Sequence, residues 1–333
     1  MSRKVTISDV AKHSNVSVAT VSRALNQPEL LREETLRRVR KAMRDTGFQD
    51  GALDPSLKES CEANKLFLVV VPNLQNLFYS KLIDGISDSA LRQDTKCLIY
   101  QTSSSFQSEA LFSMVELLHP SGLILLDPAL DAEKLTKLDA IVPIVQCAEY
   151  LPECNVSYVS VDDYSATKSL IELMISKGRR RIVLLNGPAR FKYARQRKAG
   201  YLAALEDAGI PADESLMIHL PDISYAAAFA VMAQLLSSSS PPDSCFAVSD
   251  VLAAAAVKAV KRAGWSIPTD FSVAGFDNTY LSTLCDPAIT TISQPAYQLG
   301  YVAGELLAER IANPNAAPGQ LLLDTELIIR ESL

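Results

Sequence analysis

The stretch VSVATVSRALN, residues 16–26, gathers three hydroxyl side chains, Ser17, Thr20 and Ser22, around one guanidinium, Arg23. Short hydroxyls reach phosphate oxygens, and a planar Arg fork matches a phosphate or the O6/N7 edge of guanine. On the thin outer face of a helix, that combination suits nucleic acid. Residues suited to catalysis or metal binding are sparse. His13, His119 and His219 sit in unrelated contexts, and Cys61, Cys97, Cys147, Cys154, Cys245 and Cys285 form no Cys-x-x-Cys and have no His at ligand spacing. No Gly-x-Gly-x-x-Gly follows a strand, and there is no P-loop pattern. The sequence therefore predicts no metal, no cofactor and no enzymatic step.

Charge is unevenly spread. The chain of 333 residues has a net charge of −6, yet residues 1–50 hold ten Lys/Arg against six Asp/Glu and the remainder 22 against 32. A small basic module on an acidic body is the expectation. The longest apolar runs, LFLVVV (66–71) and GLILL (122–126), fall far short of the roughly 20 residues that span a bilayer. The segment MSRKVTISDV has no apolar core of a signal peptide. The expected location is the cytoplasm, with reduced and mostly buried thiols.

The elements that must position these residues can be read from periodicity. Thr6-x-x-Asp9 resembles a capping box ahead of Ile7, Val10 and Ala11; Asn15 punctuates; Ser17 can cap a second helix whose apolar positions are Val18, Val21, Ala24 and Leu25. A third helix is expected from Glu33 to Asp45, with Leu36, Val39, Ala42 and Met43 inward. Helix, tight turn and second helix within about twenty residues make a helix-turn-helix. QDGALDPSLKESCEAN, residues 49–64, breaks the periodicity as a linker. Beyond it, short apolar strands alternate with amphipathic helices, the pattern of doubly wound parallel sheets. The strands expected are 66–71, 96–100, 122–126, 142–146, 158–161, 181–186, 245–249, 271–276 and 290–293, enough for two sheets. The switch between them is placed near Ser160–Asp163.

The segment TISDVAKHSNVSVATVSRALN resembles the N-terminal signature of the lac-repressor family of bacterial transcription regulators. The likeness continues in the same order through SKGRRRIVLLNGP (176–188), RKAGYLAAL (197–205), VSDVLAAAAVKAVKRAGWSIPTDFSVAGFDN (248–278), PAITTISQPAYQLG (287–300) and LIIRES (327–332). The cytidine and purine repressors are the nearest branches. The resemblance implies a helix-turn-helix domain at 1–48, a hinge at 49–64, and a periplasmic-binding-protein-like α/β core. In that core, 65–161 (with about 293–320) form one subdomain and 162–292 (with about 321–333) the other. It implies a homodimer that reads a near-palindromic double-stranded operator, with a small effector between the subdomains. The chain ends after LIIRESL without a heptad tail, so a dimer is expected rather than a tail-bundled tetramer.

By matched position, Val18 and Ala19 take the base-contacting places, where apolar side chains can touch only thymine methyls, and Arg23 takes the guanine-gripping place. Ser17, Thr20, Ser22 and Asn26 suit phosphates, and Thr6 joins the DNA-facing set. Leu57 matches the family's minor-groove wedge. The hinge departs from the pattern: Asp50 stands where a Pro is usual, Gly51 follows, and Asp54 and Pro55 interrupt. So few helical residues remain before Cys61 that a weak hinge is expected. With so few polar base contacts, the regulator is expected to lean on dimer spacing or on a second DNA-bound protein. The family position of the cleft points to Asp162, Arg197, Asp250 and Asp277 at strand ends, with Phe78, Tyr79 and Tyr193 available to stack on a ring. Such a set suits a nucleoside, or alternatively a sugar. Arg179 replaces the family's His after Gly178, and the sequence offers no role for it. The rival readings are an α/β enzyme acting on a sugar or nucleoside, and a transport-type binding protein.

Overall fold

The computed structural model describes residues 7–18, 20, 21, 24, 31–46, 65–102, 108–127 and 130–333. They fall into two units, Met1–Ala63 and Asn64–Leu333. The expectations on Thr6, Ala19, Ser22, Arg23, Asn26, the 49–64 hinge and Leu57 lie outside the described residues.

The first unit is built on a helix at Ile7–Ser14 and another at Glu33–Thr46, with Val18, Thr20, Val21 and Ala24 also helical. Val10, Ala11, Val21, Val39 and Ala42 form its core, with Val16, Ala24 and Met43 partly buried against it. Asn15 makes the turn at φ +52°, a left-handed conformation that Asn tolerates better than most residues. Arg38, on the helix at 33–46, holds that turn by donating from Nη2 to the carbonyl oxygens of Ser14 at 2.9 Å and Asn15 at 3.3 Å. Val18, given a base-contacting place by the resemblance, faces away from this core. It is 50% exposed, whereas Val21, three residues on, is fully buried.

The second unit holds two six-stranded sheets. The first consists of β1 (Leu66–Val71), β2 (Lys96–Gln101), β3 (Gly122–Leu125), β4 (Ile144–Cys147), β5 (Ser157–Val161) and β11 (Gln320–Leu323), in the order β11-β5-β4-β3-β1-β2 and all parallel. The second consists of β6 (Ile182–Asn186), β7 (Met217–His219), β8 (Ser244–Ala247), β9 (Ser272–Asp277), β10 (Thr290–Ser293) and β12 (Glu326–Ile328), in the order β12-β10-β9-β8-β6-β7. Only β12 runs antiparallel, against β10. Crossover helices cover the sheets, and buried apolar strands feed separate cores. β2 is the exception among the expected strands: at the sheet edge it is largely exposed.

The chain passes between the sheets after β5, after β10 and between β11 and β12. Residues 321–323, expected with the second subdomain, pair instead with β5, so the last crossing falls near 324–326. Register explains the shift, because Leu321–Leu323 continue the ladder beside Val159–Val161.

The helix at Ala296–Ala312 packs on the one at Leu77–Arg92 so closely that glycine is required at the crossing. A Cβ on Gly300 would collide with the carbonyl oxygen of Leu82, and one on Gly85 with that of Tyr297. Gly300→Ala is expected to destabilise the fold by about 1–3 kcal/mol through overpacking, measured by urea unfolding. An unchanged midpoint would show that the two helices can separate freely.

Candidate functional site

In the first unit, Ser17 Oγ accepts the Thr20 N–H at 3.1 Å and lies 2.8 Å from Thr20 Oγ1. Ser17 therefore caps the second helix, and its hydroxyl is shared between that cap and any external contact. Val18, next to the cap, presents its side chain outward at the positive end of the helix.

In the second unit, a cavity of about 420 Å³, including its open mouth, lies where the C-terminal ends of both sheets face each other. This is the place where open parallel sheets hold ligands. Phe78 and Tyr79, at the start of the helix at 77–92, form one wall, with ring centroids 5.5 Å apart. Tyr193, Arg197, Ser249, Asp277 and Gln294 come from the second sheet's side and its boundary.

Arg197 is buried. Its Nε and Nη2 each lie 2.7 Å from Asp163 Oδ1, and Nη1 donates to the Val248 carbonyl at 2.6 Å. Its Cζ sits 3.4 Å from the centroid of the Phe276 ring and 5.0 Å from that of Tyr193. Lys192 Nζ donates to Asp163 Oδ2 at 2.7 Å, to Ser160 Oγ at 2.8 Å and to the Val161 carbonyl at 3.4 Å. Burial alone would push the Asp163 carboxyl up. Arg197 and Lys192 overcome that and hold it below the ordinary carboxylate range. Because Ser160 and Val161 belong to β5, Lys192 ties the second subdomain to the first.

Glu149, just past β4, makes a second tie. Its Oε2 accepts the Lys192 N–H at 2.5 Å and its Oε1 the Tyr193 N–H at 3.2 Å, so a carboxylate of the first subdomain caps the helix at Lys192–Asp207. Burial pushes this carboxyl up to about 7, against the opposing pull of Lys192. Asp277 ends β9 at φ +106°, a conformation that L side chains rarely adopt. Its Oδ1 accepts from Gln294 Nε2 at 2.7 Å and lies 3.8 Å from Arg197 Nη1. Burial drives the Asp277 carboxyl well above its usual range despite Arg197, and the Asp250 charge adds to the rise.

The structure thus brings Phe78, Tyr79, Tyr193, Arg197 and Asp277 together and corrects two expectations. Asp162 is exposed and caps the helix at Asp163–Ser176 by accepting the Ser165 N–H at 3.0 Å; its neighbour Asp163 is the one that turns inward. Asp250 is fully buried outside the cavity wall. Its Oδ2 accepts from the Thr279 N–H at 2.6 Å and the Thr279 hydroxyl at 3.0 Å, and its Oδ1 from the Thr291 hydroxyl at 2.7 Å. It clamps the loop after β9 to β10. Glu149, Asp163 and Lys192 escaped the sequence reading. A carboxylate just past a parallel strand was the available signal for Glu149, and the capping rule could have assigned Asp162 to the cap and its neighbour to the interior. Arg179 now has a role: its guanidinium donates to the carbonyls of Pro268 and Thr269, securing the loop before β9. Among the described residues no group of three His, Cys, Asp or Glu is placed to hold a metal, and no helix is long and apolar enough to cross a membrane.

Residues 6–50 match the family model "Bacterial regulatory proteins, lacI family", and residues 171–333 match "Periplasmic binding protein-like domain". The chain is 33% identical over 329 residues to the HTH-type transcriptional repressor CytR of Escherichia coli K12, covering 98% of this chain and 96% of that one. It belongs to the lacI family of bacterial regulators. Its fold matches the lac repressor dimer bound to operator and the anti-inducer ONPF, with a TM-score of 0.74 at 26% identity over 99% of both chains. It matches the complex of the transcriptional regulator CelR with cellobiose equally well, at TM-score 0.74 and 27% identity over 98% of this chain and 99% of that one. As a lacI-family member the chain is a DNA-binding transcription regulator, with a helix-turn-helix module and a two-sheet binding-protein core.

Proposed function

We propose that this regulator is a repressor. It acts as a homodimer on a near-palindromic operator, and a small effector in the cleft alters its DNA affinity without any catalytic step. The observation that carries the effector reading is the cavity itself: aromatic rings on both walls, with buried carboxylates reaching in from each subdomain. Three aromatic side chains favour a ligand with a flat ring, so a nucleoside is the first choice. A sugar is the second, and the cellobiose complex of CelR supports it.

Dimerisation is supported by Leu98 (40% exposed) and Ile99 on edge strand β2, and by Leu91 (75% exposed) on the preceding helix. Exposed apolar residues on an open sheet edge are normally covered by a partner. The lac repressor relative is a dimer on its operator. Effector and operator then change each other's affinity by the same factor. A second DNA-bound protein would supplement the sparse base contacts of Val18 and its neighbours.

Fluorescence anisotropy with operator DNA tests this reading, with cytidine, adenosine, ribose and cellobiose added in turn. One of these is expected to shift the operator affinity, and affinity should fall steeply with salt. Val18→Asp is expected to weaken operator binding by about tenfold or more while leaving the melting temperature unchanged, since the side chain is half exposed. A large melting shift with intact DNA binding would return Val18 to a packing role.

A further inference from the structure

We propose that Lys192 is a built-in latch: with nothing bound in the cleft, its ammonium reaches across from the second subdomain, seats among groups of the first, and holds the two closed. The proposal concerns the ligand-free chain and stands whether or not the cleft takes an effector.

Three features set Lys192 apart. It is the first residue of the helix at Lys192–Asp207, where the positive helix end disfavours a cation. It is 3% exposed, and a buried ammonium is costly unless each of its protons is bonded. Most of what satisfies it lies on the other subdomain. Of its three acceptors, Ser160 Oγ at 2.8 Å and the Val161 carbonyl at 3.4 Å end β5, and only Asp163 Oδ2 at 2.7 Å belongs to its own side. The ring of Tyr150, just past β4, has its centroid 4.9 Å from Nζ. A lysine so placed keeps all its partners only while the subdomains meet.

The backbone beneath it is tied across the same boundary. Phe191, at the cap position, makes no side-chain cap hydrogen bond. Glu149 takes that role from the first subdomain, accepting the Lys192 N–H at 2.5 Å and the Tyr193 N–H at 3.2 Å. The chain crossings aside, the hydrogen bonds that join the subdomains among the described residues all leave from Lys192 and Tyr193. Closure therefore hangs on one helical turn. Opening would strip two acceptors from the ammonium and the cap from the helix end at once. A molecule bridging the two walls would close the cleft through contacts of this kind, and here the chain supplies them from within. A small molecule that enters then meets walls already drawn together, and it shifts the arrangement only by binding one form better than the other.

The two N–H groups that Glu149 accepts report closure directly, because their acceptor belongs to the other subdomain. Hydrogen exchange on the full chain without added ligand, resolved at residues 192 and 193 by mass spectrometry, tests the proposal. In the unmodified protein both amides are expected to exchange slowly. Lys192→Met keeps an apolar stem and leaves Asp163 its 2.7 Å pair with Arg197. In that variant the two amides are expected to exchange about tenfold or more faster, while those of the helix at Asp250–Arg262 keep their rates. Equal exchange at 192 and 193 in the two proteins overturns the latch, as does fast exchange in the unmodified chain. An equal rise in both helices would report a weakened fold rather than an opened cleft, and it too counts against the proposal. Should Lys192→Met fail to fold, as judged by its melting temperature, Ser160→Ala decides. It removes one acceptor at the boundary and no charge, and an unaltered rate at 192 and 193 there overturns the inference.

Discussion

Replacing Asp163 with alanine is expected to destabilise the core by about 3–5 kcal/mol, a large part of the total stability of an ordinary domain. Asp163, Lys192 and Arg197 are all nearly fully buried, and Asp163 is the carboxylate that both cations share at 2.7 Å. Removing it leaves two buried charges without the counterion they share. Arg197 would retain only the more distant Asp277 at 3.8 Å, and Lys192 only neutral oxygens. Asp163→Asn is expected to be nearly as damaging, because the charge matters more than the volume. The neighbouring Asp162→Ala removes an exposed helix cap and should cost about 1 kcal/mol. Urea unfolding of the three variants separates these cases. Equal effects at 162 and 163 would show that the buried cluster contributes no more than a surface cap.

The second large effect is a fall in ligand-free stability as pH rises from about 5 to 8.5. Burial raises the Glu149 carboxyl from 4.5 to about 7. Below 4.5 the folded and unfolded chains both hold the proton. Between the two values the unfolded chain releases it and the folded chain keeps it, so stability is lost as pH climbs through that window. Full loss amounts to about 3 kcal/mol at most. Asp277, raised by burial in the same direction, extends the slope upward. Glu149 faces Lys192, Asp163 and Tyr193; Asp277 faces Arg197, Asp250, Asp163 and Gln294. Asp163 acts with the opposite sign, because its lowered pKa stabilises the fold until strong acid protonates it. Urea midpoints at pH 5.5, 7 and 8.5 should therefore decline, and Glu149→Gln should flatten the decline. A flat or rising profile in the unmodified protein would contradict the protonation pattern of the cleft. A donor ligand favours the ionised carboxylates, so its affinity should strengthen over the same range in which bare stability weakens.

Long apolar strands and their crossover helices were legible in the sequence because periodicity and burial on both faces leave little choice. The strands at 217–219, 320–323 and 326–328 were not, since three or four residues show no period and their pairing is set by distant neighbours. The site was legible to within one residue at Asp162, where a capping carboxylate and a buried one stand side by side. It was misread at Asp250, because position at a strand end does not reveal that Thr279 and Thr291 have already taken both oxygens. Val18 and Val21 look alike in sequence, yet the geometry of the turn at Asn15 exposes one and buries the other. Glu149 and Lys192 act across the subdomain boundary, and no local pattern reports a partner that comes from another sheet.

The edge strands β11 and β12 have a consequence for the order in which the molecule matures. They complete one sheet each and lie next to each other in the chain, at 320–323 and 326–328. During vectorial synthesis the helix-turn-helix module, closed over its own core of Val10, Val21 and Val39, leaves the ribosome first. Both sheets wait for residues 320–328, which arrive more than 150 residues after β5 and close two open edges almost together. A chain released early, at 319, would carry a finished DNA-binding module on a two-sheet core with two bare sheet edges, a species prone to aggregate.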